Sequence, residues 1–128
     1  MTTIATTITK GKLTDKQIIE KHSPGVRARA RVELRIVHSL IKEAERRNLT
    51  LTIADYTPAD MEPYGGDLKT ALFDLDEAFV VVRKNGVYAG WIQLIFGNDG
   101  YDLVSDYSVN PTVEDVLKPV NELADSLV

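Results

Sequence analysis

AFVVVRKNGVYAGWIQLIFGNDGYDLVSDYS, residues 78–108, is the stretch that decides the fold. Three consecutive valines sit in the run 78–84, Asn85-Gly86 follows, and a second run extends over 87–96. Asn-Gly between two such runs is the signal of a two-residue type I′ turn, which needs positive φ at both positions. GNDG at 97–100 makes a second tight connection, and 101–108 reads as the next strand. The spacing predicts an antiparallel three-stranded meander.

Alternation along the strands says which side chains share a face. With a plain two-residue turn, Val81 pairs near Gly90 and Val82 lies opposite Ala89. Phe79, Val81, Tyr88, Ile92, Leu94, Phe96, Leu103 and Tyr107 then occupy one side. The other carries Val80, Val82, Lys84, Trp91, Gln93, Ile95, Asp102, Val104 and Asp106. The first set is the expected core face. A bulge would shift the register and exchange the sets.

Helices must cover that face. Thr14 followed by Gln17 is a capping box for a short helix over 15–22. Ser23-Pro24 starts the next helix, with serine as N-cap and proline at the first helical position. Val26, Ala30, Leu34, Val37, Ile41 and Ala44 recur at steps of three and four and form one apolar stripe, and Asn48 is the stop. Leu49, Leu51 and Ile53 alternate with polar or small residues as a strand. Residues 55–66 are a loop by composition, and Asp67 caps a short helix to about Leu75 that buries Leu68, Ala71 and Leu72. Asn110-Pro111-Thr112 opens a final helix with Val113, Val116, Leu117, Val120, Ala124 and Leu127 on one side. Pro119 inside it predicts a kink or two pieces. The Thr-rich residues 1–12 read as a flexible arm or an edge strand. The expected class is α+β: a meander of three strands, with room for four or five in the sheet, packed on one face by a long N-terminal-half helix and a C-terminal helix. Residues 1–128 form one domain on this reading.

Composition narrows the function. The chain has no cysteine, which removes disulfides, thiolate nucleophiles and cysteine-ligated metals. Its two histidines, His22 and His38, do not make a histidine-rich metal site. The N-terminus lacks the basic start and apolar stretch of a signal peptide, and no apolar run approaches the roughly 20 residues of a membrane span. A cytoplasmic location is expected. Charge is uneven: residues 1–48 hold 11 Lys/Arg against 5 Asp/Glu, a balance of +6, and residues 49–128 hold 4 against 14, a balance of −10, which together give the net −4.

Several constellations are candidates for chemistry. Arg27, Arg31, Arg35, His38 and Lys42 fall within about 80° of one helix face, a layout that suits a phosphate backbone or an acidic surface. No aromatic residue interleaves with them, and the pI of about 5.1 is low for a dedicated nucleic-acid binder. The plainer alternative is a solvated face, partly neutralised by Asp55, Asp60, Glu62, Asp67, Asp74, Asp76 and Glu77. Those acids do not match a calcium-loop spacing, so metal binding is not expected. Asp99, Asp102 and Asp106 are better explained by turns than by hydrolysis, since Asp102 and Asp106 would stand about 13 Å apart on an ideal strand. Tyr64-Gly65-Gly66-Asp67 is a turn rather than an anion site, because the acids around it repel anions. Trp91, with Val80, Val82, Ile95 and Val104 around it and Gln93 and Asp106 between, has the make-up of an interface anchor. Nucleophile-elbow, Walker, dinucleotide and zincin motifs are all absent from the sequence.

GWIQLIFGNDGYDLVSDYSVN at 90–110, followed by a helix ending NELADSLV at 121–128, resembles small uncharacterised bacteriophage and prophage proteins. The likeness covers the last third of the chain and implies a small phage accessory protein that acts by binding host machinery. The resulting expectation is a non-catalytic protein-binding domain, a phage-type accessory protein or inhibitor of a host factor, with no cofactor. Its contact residues would be Trp91, Gln93 and Asp106 or the arginines 27, 31 and 35, with self-association as a further expectation. Nucleic-acid binding through the basic helix Arg27–Lys42 is the alternative, and an enzyme of unrecognised type the second. No membrane partner is expected.

Overall fold

The structure is a computed structural model that describes residues 13–54, 68–73 and 75–128. Expectations for the 1–12 arm, the 55–66 loop, the Tyr64–Asp67 turn, the Asp67 cap and Asp74 lie outside those residues. Helix α1 spans Asp15–Glu20, and its capping box is complete: the Thr14 hydroxyl accepts from Gln17 N and the Gln17 side chain accepts from Thr14 N. Ser23-Pro24 leads into a single 3-10 turn, Pro24–Val26, before α2 runs over Arg27–Arg46. The Ser23 side chain makes no capping hydrogen bond. Asn48 takes φ 57°, the left-handed conformation that ends the helix. Strand β1 follows at Leu49–Ile53, then the short helix α3 at Leu68–Leu72.

The meander is β2 (Glu77–Lys84), β3 (Val87–Ile95) and β4 (Val104–Tyr107), and with β1 it forms an antiparallel sheet in the order β1-β2-β3-β4. Asn85 and Gly86 have φ 52° and 79°, as a type I′ turn requires. Helix α4 covers Pro111–Ser126. It runs through Pro119 as one element because residues on both sides of the proline, Val116 and Leu117 before it and Val120 after it, are anchored in the same core. Helices α2, α3 and α4 share one hydrophobic core with the sheet, centred on Ile36, Val37, Leu40, Val80, Ile92, Leu94, Val116 and Leu117. The stripe of α2 is rotated slightly from the expected one. Ile36 and Leu40 are fully buried, whereas Val26 and Ile41 are only half-buried.

Two bulges revise the expected faces. Val82 pairs with Gly90 and Arg83 with Tyr88, leaving Ala89 as the extra residue of β3. Val80 and Val82 therefore join Ile92 and Leu94 in the core, while Phe79, Val81 and Tyr88 turn outward. The side chains on β2 are the reverse of those a plain hairpin predicts. Gly90 explains the shift: its φ is +148°, and a Cβ there would stand 2.6 Å from Val113 Cγ2. Asn110, whose side chain caps α4 by accepting from Val113 N, also donates to the Ala89 carbonyl. The bulge is thus the seat on which α4 begins. In β4, Gln93 pairs with Asp106 but Leu94 with Val104, so Ser105 is the second extra residue and Val104 packs against the core. The third strand is shorter than the expected 101–108, because Tyr101 and Asp102 belong to a turn in which Leu103 N donates to the Gly100 carbonyl.

Candidate functional site

The outward face of the sheet is the first candidate. Pairing places its side chains in rows that cross the strands: Arg83 with Tyr88, then Val81 with Trp91, then Phe79 with Gln93 and Asp106, then Glu77 with Ile95. Phe79 is 39% exposed and Tyr88 59%, and Val81, Trp91 and Ile95 are half-buried. The rings of Phe79 and Trp91 meet edge to face, with centroids 5.8 Å apart. Trp91 is held through its backbone, whose N–H donates to Ser108 Oγ at 2.8 Å and whose carbonyl accepts from Ser108 N. Among the described residues no helix or strand lies over this face, because α2, α3 and α4 all pack on the other. The structure keeps Trp91, Gln93, Asp106 and Ile95 together here. It replaces the expected neighbours Val80, Val82 and Val104 with Phe79 and Val81.

Charge is ordered along the face. Arg83 at the hairpin end donates from Nη1 to the Thr52 hydroxyl at 2.8 Å, a neutral partner. Glu77 at the opposite end is exposed and, among the described residues, ion-pairs with nothing. Asp106 accepts from the N–H of Tyr107, and Asp102 from that of Asp99, so both serve local turns rather than a shared site.

The basic helix face divides. Arg27 is occupied structurally, donating from Nε to the His22 carbonyl and from Nη2 to that of Glu20, two carbonyls at the end of α1. His38 and Lys69 converge on Asp15 at 3.0 and 2.8 Å. Burial alone would raise the Asp15 pKa, but the hydrogen bonds and charges of Lys69 and His38 outweigh it and hold that carboxyl below its ordinary value. Arg31, Arg35 and Lys42 remain exposed without an acidic partner among the described residues.

A third feature went unread in the sequence. Glu33 sits on α2 three residues after Ala30, on the apolar stripe, and is 1% exposed. Its Oε2 accepts from Gly97 N at 2.8 Å, and its Oε1 lies 3.6 Å from Arg29 Nε, an ion pair longer than a hydrogen bond. Burial pushes the Glu33 pKa up, against the opposing pull of the Gly97 N–H and the Arg29 and His22 charges. A cavity of about 180 Å³ opens beside it, lined by His22, Phe73, Asp76 and Phe96 among others. His22 Nδ1 donates to the Ile18 carbonyl, and its ring, Phe73 and Phe96 form an edge-to-face chain. The arrangement holds one acid and one guanidinium around a main-chain N–H, which clamps the β3–β4 connection to α2. Gly100 completes the contact, since a Cβ there would press on Val32 and Arg29 at 3.2–3.3 Å. A carboxylate at an apolar-stripe position was the available signal.

Among the described residues no group of three or more His, Cys, Asp or Glu is placed to hold a metal ion. None of their helices is long and apolar enough to cross a membrane. Taken together, fold and surfaces define a two-layer α+β domain with one helix-covered sheet face and one that no helix or strand covers among the described residues. Compared with protein-family models, curated proteins and solved structures, the chain matches none.

Proposed function

We propose that this is a non-catalytic protein-binding domain whose docking surface is the outer sheet face around Trp91 and Phe79. The observation that carries the proposal is a paired aromatic anchor, flanked by Val81 and Ile95 and rimmed by Gln93 and Asp106, on a sheet face that no described helix covers. Large aromatic side chains with a polar rim are the composition of binding hot spots. The resemblance of residues 90–128 to phage proteins fits an accessory protein or host-factor inhibitor working in the cytoplasm. The test is to measure affinity for a purified partner with Phe79→Ser and Trp91→Ser. Each substitution weakens binding at least tenfold while the unfolding transition is retained. Unchanged affinity in both variants refutes the proposal.

A second reading rests on Arg31, Arg35 and Lys42, exposed and without acidic partners among the described residues. It assigns α2 to nucleic-acid backbone contacts. Binding would then weaken steeply with added salt and be lost with Arg31→Ala and Arg35→Ala together. A chain that causes no gel shift at low salt overturns it.

A further inference from the structure

We infer that the partner on the outer sheet face is a second copy of this chain, an inference that rests on the docking surface proposed above. The rows of that face carry positive charge at one end, in Arg83, and negative charge at the other, in Glu77, with Trp91 and Phe79 between them. Six residues of one strand separate the two charges, roughly 20 Å. An isologous interface must be complementary to itself under a two-fold rotation. Place that axis between two facing sheets, perpendicular to the strands and midway between the Trp91 and Phe79 rows. Arg83 of each copy then lies over Glu77 of the other, the Trp91 row lies over the Phe79 row, and Tyr88 meets Ile95. An axis along the strands would instead bring the two Arg83 rows together and the two Glu77 rows together, so charge selects between the alignments. The strands of the two copies run antiparallel, within the roughly 30° crossing usual for aligned sheet packing. The helices remain outside, in four layers.

The pairing gives Arg83 an acidic partner in place of its present neutral one, the Thr52 hydroxyl. Strands of five, eight, nine and four residues make a face of about 400 Å², so two faces cover roughly 800 Å², the size of a weak, reversible contact rather than of an obligate dimer.

Sedimentation equilibrium of the full chain from micromolar to millimolar concentration tests this. A dimer is expected, weakened at least tenfold by Arg83→Glu and by Glu77→Arg, and restored when both are combined. Circular dichroism of each variant checks folding, and Phe79→Ser provides an independent break of the same face. A chain that stays monomeric to millimolar concentration overturns self-pairing but leaves the docking surface open to a different protein. A dimer lost with Phe79→Ser yet indifferent to both charge reversals overturns this alignment while keeping the face. A dimer indifferent to all these substitutions overturns the inference, since association then uses another surface.

Discussion

Two faces of one sheet, built from similar residues, have opposite fates. On β2 and β3 the inner face places Val80, Val82, Ile92 and Leu94 at 0% exposure, whereas the outer face leaves Phe79 at 39% beside half-buried Val81, Trp91 and Ile95. Side-chain size does not separate their centres, since Phe79 and Trp91 are larger than the valines opposite, although the outer face also carries Glu77, Gln93, Asp106 and Arg83. What separates them is register. A single extra residue, Ala89, decides that Val80 faces helices and Val81 does not. An apolar surface kept outside a finished core is energetically unfavourable in water and gains its value on association.

The largest expected break of this contrast is at the bulge itself. Gly90→Val places a branched side chain at φ +148° and drives it into Val113. Backbone strain and overpacking together should cost about 4 kcal/mol or more. Urea unfolding measures it; a loss below about 1 kcal/mol would mean that α4 does not sit on Gly90. Next comes the same truncation on the two faces of β3. Ile92→Ala should cost about 2–5 kcal/mol, because it empties part of the core, and Ile95→Ala below about 1 kcal/mol. Equal costs would erase the distinction between the faces.

The smallest effect concerns the acid clamped beneath the β3–β4 connection. Glu33 has a raised pKa, so the folded state holds its proton more tightly than the unfolded chain. Its titration therefore favours folding at pH below the ordinary glutamate value, about 4.3, and that contribution is lost as pH rises through the elevated folded value. Glu33→Gln keeps an acceptor for Gly97 N and cannot ionise. Its stability relative to the unsubstituted chain should improve between pH 4 and pH 7. Paired denaturation curves at the two pH values check the sign; a relative loss at pH 7 would show that the charged carboxylate and Arg29 stabilise the clamp more than burial opposes it.

Much of the fold was legible in local chemistry. The capping box at Thr14 and Gln17, the Asn48 stop, the Asn85-Gly86 turn and the Asn110 cap depend on neighbours within a few residues, and each is where the pattern puts it. The faces of β3 after the bulge were also legible, with Ile92 and Leu94 inside and Trp91 and Gln93 outside, whereas Tyr88 before it was expected inside and lies outside. The faces of β2 were not. Gly90 within a strand is a bulge signal, but its consequence depends on Val113 and Asn110, some twenty residues later. Of the residues grouped around Trp91, Gln93, Ile95 and Asp106 share its face, with Phe79 and Val81 in place of the valines that went into the core. Arg27 separates from Arg31 and Arg35 because only folding brings it to the carbonyls at the end of α1.

The sequence by itself determined the order of the elements, the Thr14 and Asn110 caps, the Asn85-Gly86 turn, the α+β class and the unequal charge of the two halves. Those features follow from backbone preferences and periodicity, which act over short range. Tertiary structure alone decided the register of the hairpin, the burial of Glu33 and the identity of the exposed sheet face. Each depends on steric contact between segments far apart in the chain, and a Cβ that fails to fit against Val113 is not visible to periodicity.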